Sequence, residues 1–199
     1  NDYDLFVLDS TLSVVKASST RNQSGTQDAY EQAASTTTGD RIVIATYGTA
    51  APRALQLSTN RGQLALATDG QTHGHAATAD GYGVAAIPAS VALGQAFVGG
   101  AVNPVETFTS DGPRRIFYNA DGSPITPGNY LFASNGGTVR AKPDITAADG
   151  VSTSVSGFSS FFGTSAAAPH AAAIPARDGI DLRLRLLQLR RALTQLQQR

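Results

Sequence analysis

Apolar and polar positions alternate from the first residues, with Tyr3, Leu5 and Val7 set against Asp2, Asp4 and Phe6. A period of two predicts a strand with one covered face. An Asp9-Ser10-Thr11 turn leads on to Val14 and Val15. Residues 18–40 are rich in Ser, Thr, Gln and Gly, a composition that favours loop or short edge strands. The run Arg41-Ile42-Val43-Ile44-Ala45-Thr46-Tyr47 reads as another strand, as do residues 53–57 and 63–67. Five short strands with polar turns predict a small antiparallel sheet or sandwich over residues 1–68.

From Asp69 small residues dominate. Val84-Ala85-Ala86-Ile87 predicts a short buried strand, and residues 105–108 and 115–118 predict two aromatic β segments. Residues 125–139 read as hairpin-like, with turns at Pro127-Gly128-Asn129 and Asn135-Gly136-Gly137. Ser165 to Ile174 predicts an Ala-rich helix. Beyond Ala176 the pattern changes again: Leu182, Leu186, Leu189, Leu193 and Leu196 recur by four and three, one stripe of a helix. Two heptads are too few for a coiled coil.

Composition narrows the functional classes. The 199 residues carry 15 basic and 15 acidic side chains, so nothing drives bulk attraction to nucleic acid or to an anionic membrane. Hydrophobic content of 41% suits a chain that buries a core. There is no Cys, which excludes disulfides, thiolate metal sites and a cysteine nucleophile. No apolar stretch approaches the ~20 residues of a spanning helix. With no Met and a first residue already inside a patterned strand, further sequence is expected upstream of Asn1. Oligomeric state is unreadable.

The chemistry concentrates in Gly163-Thr164-Ser165-Ala166-Ala167-Ala168-Pro169-His170. A nucleophilic serine needs exposure at the end of an element, an N–H to help hold an oxyanion, and a base nearby. This octapeptide offers the first two. Gly163 permits close approach of backbone to substrate, and Ser165 starts a helix whose free amides favour developing negative charge. Three alanines allow that helix to pack deeply, and Pro169 falls where a missing N–H costs little.

Gly-Thr-Ser followed by small residues and Pro-His resembles the serine signature of subtilases, the subtilisin-like serine peptidases. Other segments resemble that family in the same order. They are Lys142-Pro143-Asp144-Ile145 running to Gly150-Val151-Ser152-Thr153, Val105-Glu106-Thr107-Phe108-Thr109-Ser110-Asp111-Gly112-Pro113, and Val84 to Ile87, with Ala85 where glycine is usual. The resemblance covers about residues 69–174. It implies an α/β fold: a partial subtilisin-like domain, a parallel sheet with helices, over residues 69–176. A small β-rich insert over 1–68 precedes it, and a basic Leu-rich tail over 177–199, unlike the family, follows.

The resemblance further implies that Ser165 is the nucleophile, that its own N–H is half of the oxyanion hole, and that Gly163, Thr164, His75 and Ala76 contact substrate. The substrate would be a peptide or protein, and family habit implies secretion. No segment matches the family's Asp, His and oxyanion Asn, so the chain alone is expected to be inactive. A sedolisin-type serine-carboxyl peptidase and a non-catalytic remnant or β-rich binding module are the alternatives. Pro175 is expected to interrupt the serine helix, and the tail to arise from a shifted reading frame.

Plainer readings stand beside these. Ser165 alone would be a helix N-cap. His170, five residues along the same helix, is expected to point away from it. His73-x-His75 has zinc-like spacing but no third ligand, so two loop histidines are expected. No cofactor is expected. Asp2, Asp4 and Asp9 leave open a structural calcium, although acidic turn residues beside a strand are the commoner case.

Overall fold

The computed structural model describes residues 1–23, 25, 27–34, 37–60, 62–89, 104–158 and 160–178. The leucine stripe expected over 182–196 lies outside them. The chain divides into two compact units, Asn1–Ala54 and Leu55–Arg199. The architecture is α/β, with small antiparallel sheets, a parallel strand pair and an α-helix.

In the first unit the alternating segment forms β1, Asp2–Leu8. It is the centre of a three-stranded antiparallel sheet, flanked by β2, Val15–Ser19, and β3, Arg41–Tyr47. Register pairs Leu5 with both Ser19 and Ile44, and Val7 of the central strand is buried. The turn between β1 and β2 is organised by Asp9. One carboxylate oxygen accepts the Ser13 and Val14 amides, and the other accepts the Thr11 and Ser13 hydroxyls. Asp2 accepts the Gln23 amide at 3.0 Å. Two of the acids considered for calcium are thus occupied with protein donors.

The strands expected at 53–57 and 63–67 do not form. Not all of their apolar side chains are covered: Leu57 and Leu64 are half-buried, but Leu55 is exposed and Leu66 is 91% exposed. A strand also needs a neighbour to take its amides, and these segments join no ladder. The compact first unit accordingly ends at Ala54, short of residue 68.

In the second unit β4, Val84–Pro88, pairs in parallel with a strand at Ile145–Asp149. Between them in sequence lie β5, Arg114–Ile116, and β6, Thr138–Arg140, which pair antiparallel, so Ile145–Asp149 is β7. The hairpin expected within 125–139 is replaced by turns, because Thr138–Arg140 takes Arg114–Ile116 as its partner. Phe117 is buried there, its ring edge-on to Phe132 at 5.3 Å and tilted against Tyr130 at 6.1 Å. Residues 105–108 are irregular chain and turn rather than strand. They still serve the sheet: the Glu106 amide donates to Ala86 O, and Thr109 Oγ1 accepts the Ala86 amide. One residue of the outer edge of β4 is thereby satisfied without a further strand.

Helix α1, Thr164–Asp178, packs on both β4 and β7. Ala166, Ala167 and Ala171 of the helix are buried, as are Ala85, Ala86 and Ile87 of β4. Small side chains on both surfaces let helix and sheet approach closely. Pro175 does not end the helix, which carries both Pro169 and Pro175 in its interior. A proline removes one amide and costs about 3 kcal/mol.

The starts of β4 and β7 are tied by a buried knot. Lys142 Nζ donates to Asp144 Oδ2 at 2.5 Å and to Gly81 O at 2.6 Å, and that same carboxylate oxygen accepts the Gly83 amide. The two side chains are 4% and 7% exposed. The Asp144 amide returns the bond to Gly83 O at 2.8 Å. Gly112 lies so close that a Cβ there would overlap the Lys142 carbonyl oxygen.

Two outcomes are expected. Removing one partner of a buried ion pair typically costs 3–5 kcal/mol, so Asp144→Ala should lower unfolding stability by roughly that amount in urea denaturation; a loss below about 1 kcal/mol would contradict the assignment. Asp9 is held at about 2 rather than 3.8, chiefly by the Thr11 hydroxyl and, against a desolvation that raises it, by the Ser13 and Val14 amides and the Ser13 hydroxyl. The folded value lies below the unfolded one, so the turn's stabilisation is present above 3.8 and is lost as pH falls through about 2. An NMR titration should place the Asp9 midpoint near 2 and show it rising in Thr11→Val.

Candidate active site

The serine turn is built by the chain folding back at the end of β7. Gly150, at φ +64, turns the chain away from the strand, and the Phe162 ring lies where a Cβ would sit. Val151 and Phe161 then pair as an isolated antiparallel bridge, with amide–carbonyl distances of 3.3 and 2.9 Å. This bridge closes the 152–160 loop and returns Gly163 to the strand it left. The loop is stapled inside by Thr153 Oγ1, which donates to Phe158 O at 2.7 Å and accepts the Val155 amide. Phe158 meets Phe161 edge-on at 5.5 Å.

Gly163 then caps the helix. Its carbonyl accepts the Ala166 and Ala167 amides at 2.9 and 3.2 Å. Its φ of +114 is a conformation that a side chain would strain. Its own amide donates to Asp149 Oδ2 at 2.8 Å. Asp149 is the last residue of β7 and is 0% exposed, with Oδ1 lacking a partner among the described residues. A carboxylate beside a helix N-terminus is favourably placed against the helix dipole.

Thr164 and Ser165 follow as the first two helical residues. Their amides fall among the four that a helix leaves without an internal acceptor, and among the described residues neither finds a backbone acceptor. Ser165 is exposed. It therefore presents a hydroxyl and a free amide at the carboxyl ends of two parallel strands, the edge at which open α/β sheets bind ligands. Chemically the arrangement can hold an anionic oxygen and present a hydroxyl beside it.

The histidines lie elsewhere. His170 Nδ1 pairs with Ala148 O at 2.9 Å, holding the helix to β7. His73 Nδ1 pairs with Gln71 O at 2.7 Å. His75 and Ala76 sit on a short 3-10 helix, Gly74–Ala77. This turn is closed by His75 O, which accepts the Thr78 amide and hydroxyl, and is tied to β6 by Arg140, whose Nη1 donates to Ala77 O at 2.8 Å. No hydrogen bond among the described residues joins His75–Ala76 to the Gly163–Ser165 turn. Nor does any histidine ring bond to Ser165. Among the described residues no group of three or more His, Asp or Glu could hold a metal ion.

Sequence reasoning missed Asp149. The signal was present: an acid closing the otherwise uncharged stretch Ile145-Thr146-Ala147-Ala148, just before a glycine. Such a residue is easily read as a turn former, and only the return of Gly163 gives it a role.

Comparison of the chain with protein-family models, curated proteins and solved structures gives no match to any of them.

Asp149→Ala should leave the Gly163 amide without its acceptor. Its hydrogen exchange should accelerate at least ~10-fold relative to the β1 amides of the other unit, a loss of about 1.4 kcal/mol. Unchanged exchange at Gly163 would show that the carboxylate does not hold the turn.

Proposed function

We propose that this chain carries the nucleophile-bearing part of a subtilisin-like serine peptidase, acting on peptide or protein substrates, with Ser165 as nucleophile and its own N–H as one oxyanion donor. The observation that carries the reading is the placement of Gly163-Thr164-Ser165. The turn stands at the start of α1, at the carboxyl edge of a parallel strand pair, with the serine exposed and its amide without a backbone acceptor among the described residues. The ordered resemblance of residues 84–87, 105–113, 142–153 and 163–170 to the subtilase pattern supports the same reading.

In the reaction, a general base takes the Ser165 hydroxyl proton as the oxygen attacks the scissile carbonyl. The carbonyl electrons move onto an oxygen facing the Ser165 amide, and collapse of that intermediate expels the protonated amine. Water then cleaves the acyl-enzyme by the same route. No histidine of this chain bonds to Ser165, so base and carboxylate partner would come from segments upstream. Without a base a serine hydroxyl is a weak nucleophile at neutral pH, and lack of one oxyanion donor alone costs about 10²–10³ in rate. The isolated chain is therefore inactive on this account. Secretion remains an expectation of the resemblance.

One observation favours a sedolisin-type peptidase as the second reading: the ionisable side chain touching the serine turn, Asp149, is acidic. Pro169-His170 after the alanines favours the subtilase reading.

The test supplies what the chain lacks. A longer product of the encoding gene, extended upstream through Asp- and His-bearing segments, should hydrolyse peptides near neutral pH, with kcat falling more than about 10⁴-fold in Ser165→Ala. Hydrolysis confined to acidic pH would favour the sedolisin reading. A folded longer product with no Ser165-dependent hydrolysis would overturn the peptidase assignment in favour of a non-catalytic module.

A further inference from the structure

A cleft of about 250 Å³ lies in the second unit, apart from the residues that build the serine turn. Its walls are largely apolar, with Leu55, Leu57, Leu64, Leu66 and Phe132 around Arg114, the one cation among the described lining residues. The guanidinium is fixed in place: Nη1 donates to Gln56 Oε1 and to Gly70 O, the latter at 3.0 Å. Gly70 is itself held, its amide and that of Gln71 donating to Asp111 Oδ1. The orientation of Arg114 is therefore imposed by neighbours that are themselves anchored.

Among the described residues Arg114 has no counter-ion. No carboxylate pairs with it among the described residues, and Asp69, which also lines the cleft, is exposed and makes no bond to it. Nε is buried with no acceptor, and Nη2 has no protein partner among the described residues. Burial lowers the guanidinium's pKa below its ordinary value. A partly desolvated charge without its partner is costly, and an anion bound beside it would relieve that cost.

We propose that this cleft binds a small carboxylate carried on a branched aliphatic body. The carboxylate would pair with Arg114, and the leucines would cover the body. Planar guanidinium geometry suits a carboxylate over a neutral acceptor. The volume fits a group of about leucine size rather than a large ligand, since drug-sized pockets begin near ~300 Å³. The C-terminus of a peptide ending in an aliphatic residue and a free short-chain acid share this chemistry. The proposal is independent of the peptidase reading.

The experiment follows amide and methyl NMR shifts of the full 199-residue chain on titration with N-acetyl-leucine, N-acetyl-leucinamide and isocaproate. The acid should bind saturably in the millimolar range, with shifts confined to the cleft, and the neutral amide at least ~10-fold more weakly. Isocaproate binding as well as N-acetyl-leucine identifies a free acid as a competent ligand; N-acetyl-leucine alone identifies a peptide terminus. Arg114→Met should weaken acid binding at least ~10-fold. Should that variant fail to fold, Leu66→Ala, at a 91% exposed position, should weaken it at least ~2-fold with the fold intact. The amide binding as tightly as the acid, or no saturable shift from either acid up to ~50 mM, would overturn the proposal.

Discussion

The second unit depends on one buried ion pair. Lys142 and Asp144 share a pocket closed to water, and between them they hold Gly81 O and the Gly83 amide. Two buried charges are tolerated only when each finds several partners. Here the partners are the loop before β4 and the start of β7, so satisfying the charges sets the two strands side by side. Parallel pairing then runs from Val84 against Ile145 to Pro88 against Asp149. Where β7 starts determines where Asp149 stands, and Asp149 determines where Gly163 returns.

The same logic explains why the serine turn can be sharp. Gly150 and Gly163 take conformations that side chains would strain, at φ +64 and +114. Between them the Val151–Phe161 bridge closes the loop. The helix is fixed by three contacts of different kinds: the Asp149–Gly163 hydrogen bond, the buried alanines on β4 and β7, and His170 on Ala148 O. All three act on the first two turns of α1, which carry Ser165. Among the described residues the Ser165 amide there has no backbone acceptor.

Local pattern made the strongly periodic pieces legible. The alternation at residues 2–8, the β-branched run at 41–47 and the small apolar run at 84–87 all form strands. The polar stretch over 18–40 gives only the end of β2 among its described residues. Residues 53–57 and 63–67 misled because a run of leucines says that a strand could be covered, not that a cover exists. Residues 105–108 misled in the opposite way: their contact with β4 is real but uses one amide and one threonine hydroxyl instead of a ladder. Pro175 reads as a breaker from sequence, yet the helix continues past it to Asp178. The candidate site was legible through Gly163-Thr164-Ser165, whereas Asp149 depends on a contact fourteen residues apart in sequence.

The central claim is that Ser165 is presented as a nucleophile, with an oxyanion amide but no base within this chain. The most direct measurement is labelling of the 199-residue chain with a fluorophosphonate, read by mass spectrometry beside Ser165→Ala and an intact subtilisin. The account predicts no labelling of the chain above its alanine variant while the subtilisin is labelled. Stoichiometric labelling confined to Ser165 would mean that an activating base is present after all, and would contradict it.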